Sequence, residues 1–133
     1  MFVQSSRNYR ILVVDDLVDN LFLLQTFLET EGFEVETATN GSQALNQVCT
    51  KPPDLVLLDV MLPDMNGYEV TRQIRQNHTL PFIPILLVTA HEQIDARDGF
   101  YAGANDFIRK PIDFEQLLLR IAAALQLDNY SRG

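Results

Sequence analysis

Apolar and polar positions along the chain repeat one pattern about every 25 residues: a short apolar run, a polar loop, then an amphipathic segment. Five such units fit. The first run, Ile11-Leu12-Val13-Val14, is followed by Leu17, Leu21, Leu24 and Leu28 at helical spacing, and this stripe closes at Glu31-Gly32, where glycine suits a helix C-terminus. Phe33-Glu34-Val35-Glu36-Thr37 alternates, which predicts a strand with one wetter face at a sheet edge. Asn40 caps a short helix through Ala44, Leu45 and Val48, ended by Pro52-Pro53. Leu55-Val56-Leu57-Leu58 is apolar throughout, the mark of a central parallel strand covered on both faces. The polar turn Pro63-Asp64-Met65-Asn66-Gly67 leads to a helix through Val70 and Ile74. Ile83-Pro84-Ile85-Leu86-Leu87-Val88 reads as the fourth strand, with Pro84 near its start, where a missing N–H is tolerated. Asp95 to Ala102 reads as a fourth helix stopped by Gly103, and Phe107-Ile108 as a short fifth strand. Asp113, with Gln116 three residues on, begins a last helix that buries Leu117, Ile121 and Leu125.

Alternating β and α units with buried parallel strands predict an α/β fold: a three-layer, doubly wound sandwich of five parallel strands with helices on both faces. The chain has 133 residues, 47% of them apolar, which fits a single domain over 1–133 with its core at about 10–127 and polar tails at 1–9 and 128–133. Eighteen acidic against ten basic side chains give a formal charge of −8, which argues against attraction to nucleic acid or anionic lipid. Cys49 is the only cysteine, so no intramolecular disulfide forms. It reads as a small apolar filler, and a reducing cytoplasm is the expected location. No run matches a signal-peptide core or the roughly 18 apolar residues that span a membrane.

In such sheets, sites form beyond the carboxyl ends of the strands. Asp15-Asp16 follow the first strand, Asp59 the third, Thr89 the fourth and Lys110 the fifth. In a sheet of order 2-1-3-4-5, three carboxylates meet there, flanked by a hydroxyl and an ammonium. Packed acids repel and raise one another's pKa, a conflict that a hard divalent cation such as Mg²⁺ resolves. Thr89 and Lys110 are not needed to hold a metal and point to an anionic ligand. A phosphoryl group on Asp59, the carboxylate ending the central strand, would place its oxygens against metal, lysine and threonine.

Val13-Val14-Asp15-Asp16, Leu57-Leu58-Asp59-Val60-Met61-Leu62-Pro63-Asp64-Met65-Asn66-Gly67, Val88-Thr89-Ala90 and Gly103-Ala104-Asn105-Asp106-Phe107-Ile108-Arg109-Lys110-Pro111 resemble the receiver domain of two-component response regulators, of the single-domain, chemotaxis-regulator type. The resemblance runs from about Arg10 to Leu127, with four motifs in the family's order. It implies the strand order 2-1-3-4-5 of a flavodoxin-like sheet. It implies that Asp59 takes a phosphoryl group from a phosphohistidine of a histidine kinase or phosphotransfer domain. Asp15, Asp16, Asp59 and the Met61 carbonyl would hold Mg²⁺, with Mn²⁺ as substitute. Lys110 would pair with the phosphoryl group, and Lys110-Pro111 resembles a bond that is cis in the family. Thr89 and Phe107 would form the switch, with Phe107, lacking a hydroxyl, moving on packing alone. Met61 and His91 match positions that tune phosphoryl lifetime. The resemblance also implies a readout face of the fourth predicted helix, fifth strand and last helix, about Gln93 to Leu125, with Phe100, Tyr101 and Arg109 as contacts. That face would bind a downstream protein or relay partner, or a second copy, the chain being monomer or homodimer. Asp19 and Asn20 lie near the face offered to the kinase.

Plainer readings stand beside these. Asp15-Asp16 alone could cap a helix, Thr89 be a strand residue and Lys110 a solvated charge. Gly67, Gly103 and the prolines read as backbone punctuation, and His78 and His91 as surface residues. An aspartyl-phosphate enzyme of the haloacid dehalogenase type needs a second Asp two residues after the nucleophile, where this chain has Met61. The expectation is therefore a phosphoacceptor switch that catalyses its own phosphorylation and dephosphorylation rather than an enzyme. A non-phosphorylated pseudo-receiver scaffold, or the receiver fragment of a longer regulator, are the alternatives.

Overall fold

Parallel pairing of five strands in the order β2-β1-β3-β4-β5 organises the chain, of which the computed structural model describes residues 8–90 and 102–127. The elements are β1 (Arg10–Val14), α1 (Val18–Thr30), β2 (Glu34–Ala38), α2 (Gly41–Thr50), β3 (Leu55–Asp59), α3 (Gly67–Gln76), β4 (Ile85–Thr89), β5 (Asp106–Arg109) and a C-terminal helix (Phe114–Leu125). β3 and β4 are buried at every position, while the edge strand β2 buries only Ala38. The fourth predicted helix lies outside the described residues except for Ala102, and so do His91, Phe100 and Tyr101.

Because side chains alternate along a strand, each strand feeds two cores. Ile11, Val13, Leu55 and Leu57 pack with Leu21, Leu24 and Leu28 of α1 and with Leu117 and Ile121 of the C-terminal helix. Leu12, Val14, Val56 and Leu58 pack with Ala44 and Val48 of α2 and with Val70 and Ile74 of α3. The sheet is thus covered on both faces, which sets the carboxyl ends of its inner strands as its open rim. Phe27 stacks on Phe114 at 4.4 Å between ring centroids and ties α1 to the start of the C-terminal helix.

Four sequence expectations need correction. Leu17 is not on the buried stripe: it is the N-cap of α1 and 55% exposed, because the helix starts one residue later. Cys49 is exposed on α2 rather than filling the core, since Ala44 and Val48 already take the inward positions. β4 begins at Ile85, after Pro84, whose missing N–H cannot enter the ladder; Ile83 is buried but outside the strand. Leu125, expected inside, is only partly buried.

Arg75 was not visible as a structural residue. Its guanidinium donates to Gly103 O (2.8 Å), Ile83 O (2.7 Å) and Asn105 Oδ1 (2.9 Å), and stacks over Phe82 at 4.7 Å. Asn105 Oδ1 also accepts from Ile85 N at 2.8 Å, so one arginine joins the end of α3 to the starts of β4 and β5. Gly103 has φ +110°, and a Cβ there would lie 2.6 Å from Arg75 Cγ.

Candidate functional site

β1 and β3 are neighbours in register, Val14 beside Leu58, so their carboxyl ends reach the rim together. Asp15 extends the ladder one residue past β1 through its N–H to Ala38 O (3.1 Å), which fixes its main chain. Its side chain accepts from Leu17 N at 2.9 Å and from Asn20 Nδ2 at 3.2 Å. The helix-cap alternative does not hold, because the α1 N-cap is Leu17, without a side-chain cap. Asp59 ends β3, and Asp15 and Asp59 are each only 4% exposed, whereas Asp16 is exposed.

Carboxylate oxygens of Asp15, Asp16 and Asp59 lie within 4.8 Å of one another. Lys110 enters from the end of β5, its Nζ 2.7 Å from Asp59 Oδ2 and 3.8 Å from Asp15 Oδ2. The Met61 N–H donates to Asp59 Oδ1 at 2.9 Å, so both Asp59 oxygens are oriented. Burial pushes the Asp15 carboxyl up; the Leu17 N–H opposes the rise, Asp59 adds to it, and Lys110 and Asn20 offset it. Burial draws the Lys110 ammonium down, but its bond to Asp59 and the charges of Asp59, Asp15 and Asp16 outweigh that and raise its pKa. Three acids against one ammonium leave an anionic, all-oxygen donor set, the chemistry a hard divalent cation takes.

Thr89 ends β4 and is buried; its carbonyl accepts from Lys110 N at 2.9 Å, and its neighbour Val88 pairs with Asp59. Phe107 pairs with Leu87 and packs, partly buried, against the core on the α2/α3 side. The Met61 side chain is 55% exposed beside the cluster. The Lys110–Pro111 peptide is cis. His91 lies outside the described residues, so its place at the site is not described.

Two further features surround the cluster. Gly67 is more than punctuation: a Cβ there would lie 2.7 Å from Asp59 O and 3.0 Å from Val60 Cα. Asp64 reaches across to the start of α2, accepting from Gly41 N (2.8 Å) and Ser42 N (2.9 Å), and these bonds lower its pKa to about 2. Sequence reasoning missed this contact because the partners stand 23 and 22 residues away, with no local signal. A depressed carboxyl stabilises the fold above its unfolded pKa and loses that contribution as pH falls through its folded value. The stability gap between wild type and Asp64→Asn should therefore be constant above pH 3.8 and close toward about pH 2, as read by chemical denaturation across pH. A gap that persists at pH 2 would reject the assignment.

The family model described as the response regulator receiver domain matches residues 11–122. The chain is 43% identical over 113 residues to the response regulator PleD of Caulobacter vibrioides, covering 84% of this chain and 25% of that protein. It is 42% identical over 120 residues to the alkaline phosphatase synthesis transcriptional regulatory protein PhoP of Bacillus subtilis, covering 90% of this chain and 49% of that protein. The chain thus spans a quarter to a half of the length of these two relatives. Among solved structures, a CheY-like response regulator receiver domain protein from Methanospirillum hungatei superposes with a TM-score of 0.84 at 31% identity, over 90% of this chain and 95% of that one.

Proposed function

The chain belongs to the response regulator receiver domain family of two-component systems, and from that premise we propose that Asp59 is the phosphoacceptor of a Mg²⁺-dependent switch. The observation that carries this is a buried carboxylate at the end of the central strand, bonded to Lys110 and the Met61 N–H, with Asp15 and Asp16 alongside. The receiver unit is taken as residues 10–127.

An Asp59 oxygen attacks the phosphorus of a phosphohistidine on a kinase or phosphotransfer domain. The P–N bond breaks and its electron pair returns to the imidazole nitrogen, leaving an acyl phosphate. Lys110 moves its ammonium from carboxylate to phosphoryl oxygen, holding the new charge of about −2. Asp15, Asp16, Asp59 and the Met61 carbonyl would hold Mg²⁺, or Mn²⁺ in its place, which supplies charge neutralisation at the phosphoryl oxygens. Hydrolysis reverses the state: water attacks phosphorus, the bond to Asp59 breaks, and inorganic phosphate leaves. The chain is thus a switch that catalyses its own phosphorylation and dephosphorylation. The Thr89 hydroxyl and the Phe107 ring relay the charge to the surface, while Met61 and His91 set how readily water reaches the phosphorus.

The phosphodonor docks over a cleft of about 280 Å³ beside the cluster, where Asn20, Leu23, Ile112 and Phe114 line the approach to Asp15 and Lys110. On the readout side, β5 and the C-terminal helix border a groove of about 560 Å³ crossed by the Arg120–Asp106 ion pair at 2.5 Å, the surface for a downstream protein, a relay partner or a second copy. No helix among the described residues is long and apolar enough to cross a membrane, and we place the switch in the cytoplasm.

The test is intact mass after incubation with acetyl phosphate. A single phosphoryl adduct that requires Mg²⁺ and is absent from Asp59→Asn is the expected result. An adduct that persists in Asp59→Asn would overturn the assignment of the nucleophile, and no adduct in a wild type that also binds no Mg²⁺ would support the scaffold reading.

A further inference from the structure

The loop from Val60 to Asn66 is fastened at more points than a turn requires. At its start the Met61 N–H holds Asp59 Oδ1, and at its end the Gly67 N–H returns to Val60 O at 2.8 Å. Each neighbouring helix already has its own cap: Asn66 accepts from Glu69 N at 2.9 Å for α3, and Asn40 from Gln43 N at 2.8 Å for α2. Asp64 serves neither of these needs. It leaves its own loop and seats its carboxylate on the Gly41 and Ser42 amides, a charge-assisted contact at a helix N-terminus. Beneath it Met65 fills the space over Gly41: a Cβ on Gly41 would lie 2.5 Å from Met65 Cγ and 3.0 Å from Val70 Cγ2. A carboxylate and a thioether thus clamp the loop to α2 from two sides.

We propose that Asp64, seated on the Gly41 and Ser42 amides over the Met65 contact, is a positioning residue that fixes the Met61 main chain beside the acidic cluster and so sets the cluster's affinity for a divalent cation. The inference rests on reading Asp15, Asp16 and Asp59 as a cation site. A small hard cation tolerates little error in ligand placement, so a peptide group held at one end only makes a poor ligand. Met61 is three residues from Asp64 and two from Asp59, so a clamp at Asp64 limits the main chain between the two fixed points. The contact also couples α2, which carries none of the clustered acids, to the cation.

The experiment measures Mg²⁺ affinity by calorimetry and amide hydrogen exchange at Met61 in metal-free protein, for wild type, Asp64→Ala, Asp64→Asn, Gly41→Ala and Gly41→Ala with Met65→Ala. Asp64→Ala should weaken Mg²⁺ binding by about 10-fold, the scale of residues that orient metal ligands, and speed Met61 exchange without metal. Asp64→Asn, which keeps one acceptor, should fall between. Gly41→Ala should weaken binding by displacing Met65, and adding Met65→Ala should restore part of it. Exposed Asp64 is replaceable without loss of core, and measuring every variant well below its own thermal midpoint, with its circular dichroism unchanged, separates positioning from unfolding. An Mg²⁺ affinity in Asp64→Ala within about twofold of wild type, or weakened binding with Met61 exchange unchanged, overturns the proposal while leaving the cation site intact. A wild type that binds no Mg²⁺ overturns both.

Discussion

Lys110→Ala is expected to slow phosphoryl uptake from acetyl phosphate by roughly 10²–10³-fold, the usual effect of removing one charge-stabilising donor from a reacting site. The geometry behind this is direct: Lys110 Nζ sits 2.7 Å from Oδ2 of Asp59, the carboxylate we propose as the phosphoacceptor. Its loss has a second consequence. Asp15 and Asp59, both 4% exposed, lose the ammonium that faces them, and breaking a buried pair from one side can cost ~3–5 kcal/mol. The Lys110 side chain keeps 26% of its exposure, so water screens part of the repulsion and the loss should fall below that range. Metal-free Lys110→Ala should therefore melt lower than wild type, and Mg²⁺ should raise its midpoint by more than it raises that of wild type, because the cation replaces the missing charge. Uptake by the variant at the wild-type rate would remove Lys110 from the mechanism. Equal midpoint shifts with Mg²⁺ would show that its charge does not compensate the acids.

The same residues show how far the sequence could be read. Short continuous apolar runs, and helical stripes after them, give the strands and their order of appearance, because parallel strands buried on both faces have little freedom in composition. The acids at the strand ends were legible for the same reason: Asp59 closes a run buried at every position, where a carboxylate stands out. What stayed hidden depends on contacts between distant segments. The Asp64 bridge to α2 joins positions 23 apart, and the Arg75 clamp reaches Asn105 thirty residues on, so no local pattern encodes either. Leu17 misled because spacing alone extends a stripe, whereas its actual place is set by Asp15, whose carboxylate takes the Leu17 N–H and delays the helix. The solvent-facing position of Cys49 could not be read from residue type, which favours burial without saying which side of α2 faces the core.

Gly67→Ala is expected to destabilise the fold by about 1–3 kcal/mol, the range for overpacking a tight contact, and to weaken Mg²⁺ binding with it. The added Cβ would meet Asp59 O at 2.7 Å and Val60 Cα at 3.0 Å, both main-chain atoms, so no flexible side-chain tip can yield. Leu87 Cδ2 at 3.2 Å blocks the remaining direction. Relief requires α3 to retreat from the end of β3, which strains the Gly67 N–H bond to Val60 O and turns the peptide that follows Asp59. Gly32→Ala supplies the contrast. Gly32 has φ +100° but no atom within 4 Å of the new Cβ, so its replacement strains only the local backbone, by about 1–2 kcal/mol. Both variants should melt below wild type in thermal denaturation, but only Gly67→Ala should lose Mg²⁺ affinity by calorimetry. Loss of affinity in both would mean that the site responds to general loosening of the fold. Loss in neither would show that the close approach of α3 to β3 serves packing alone, since the carboxylate of Asp59 would then keep its place when the carbonyl behind it moves.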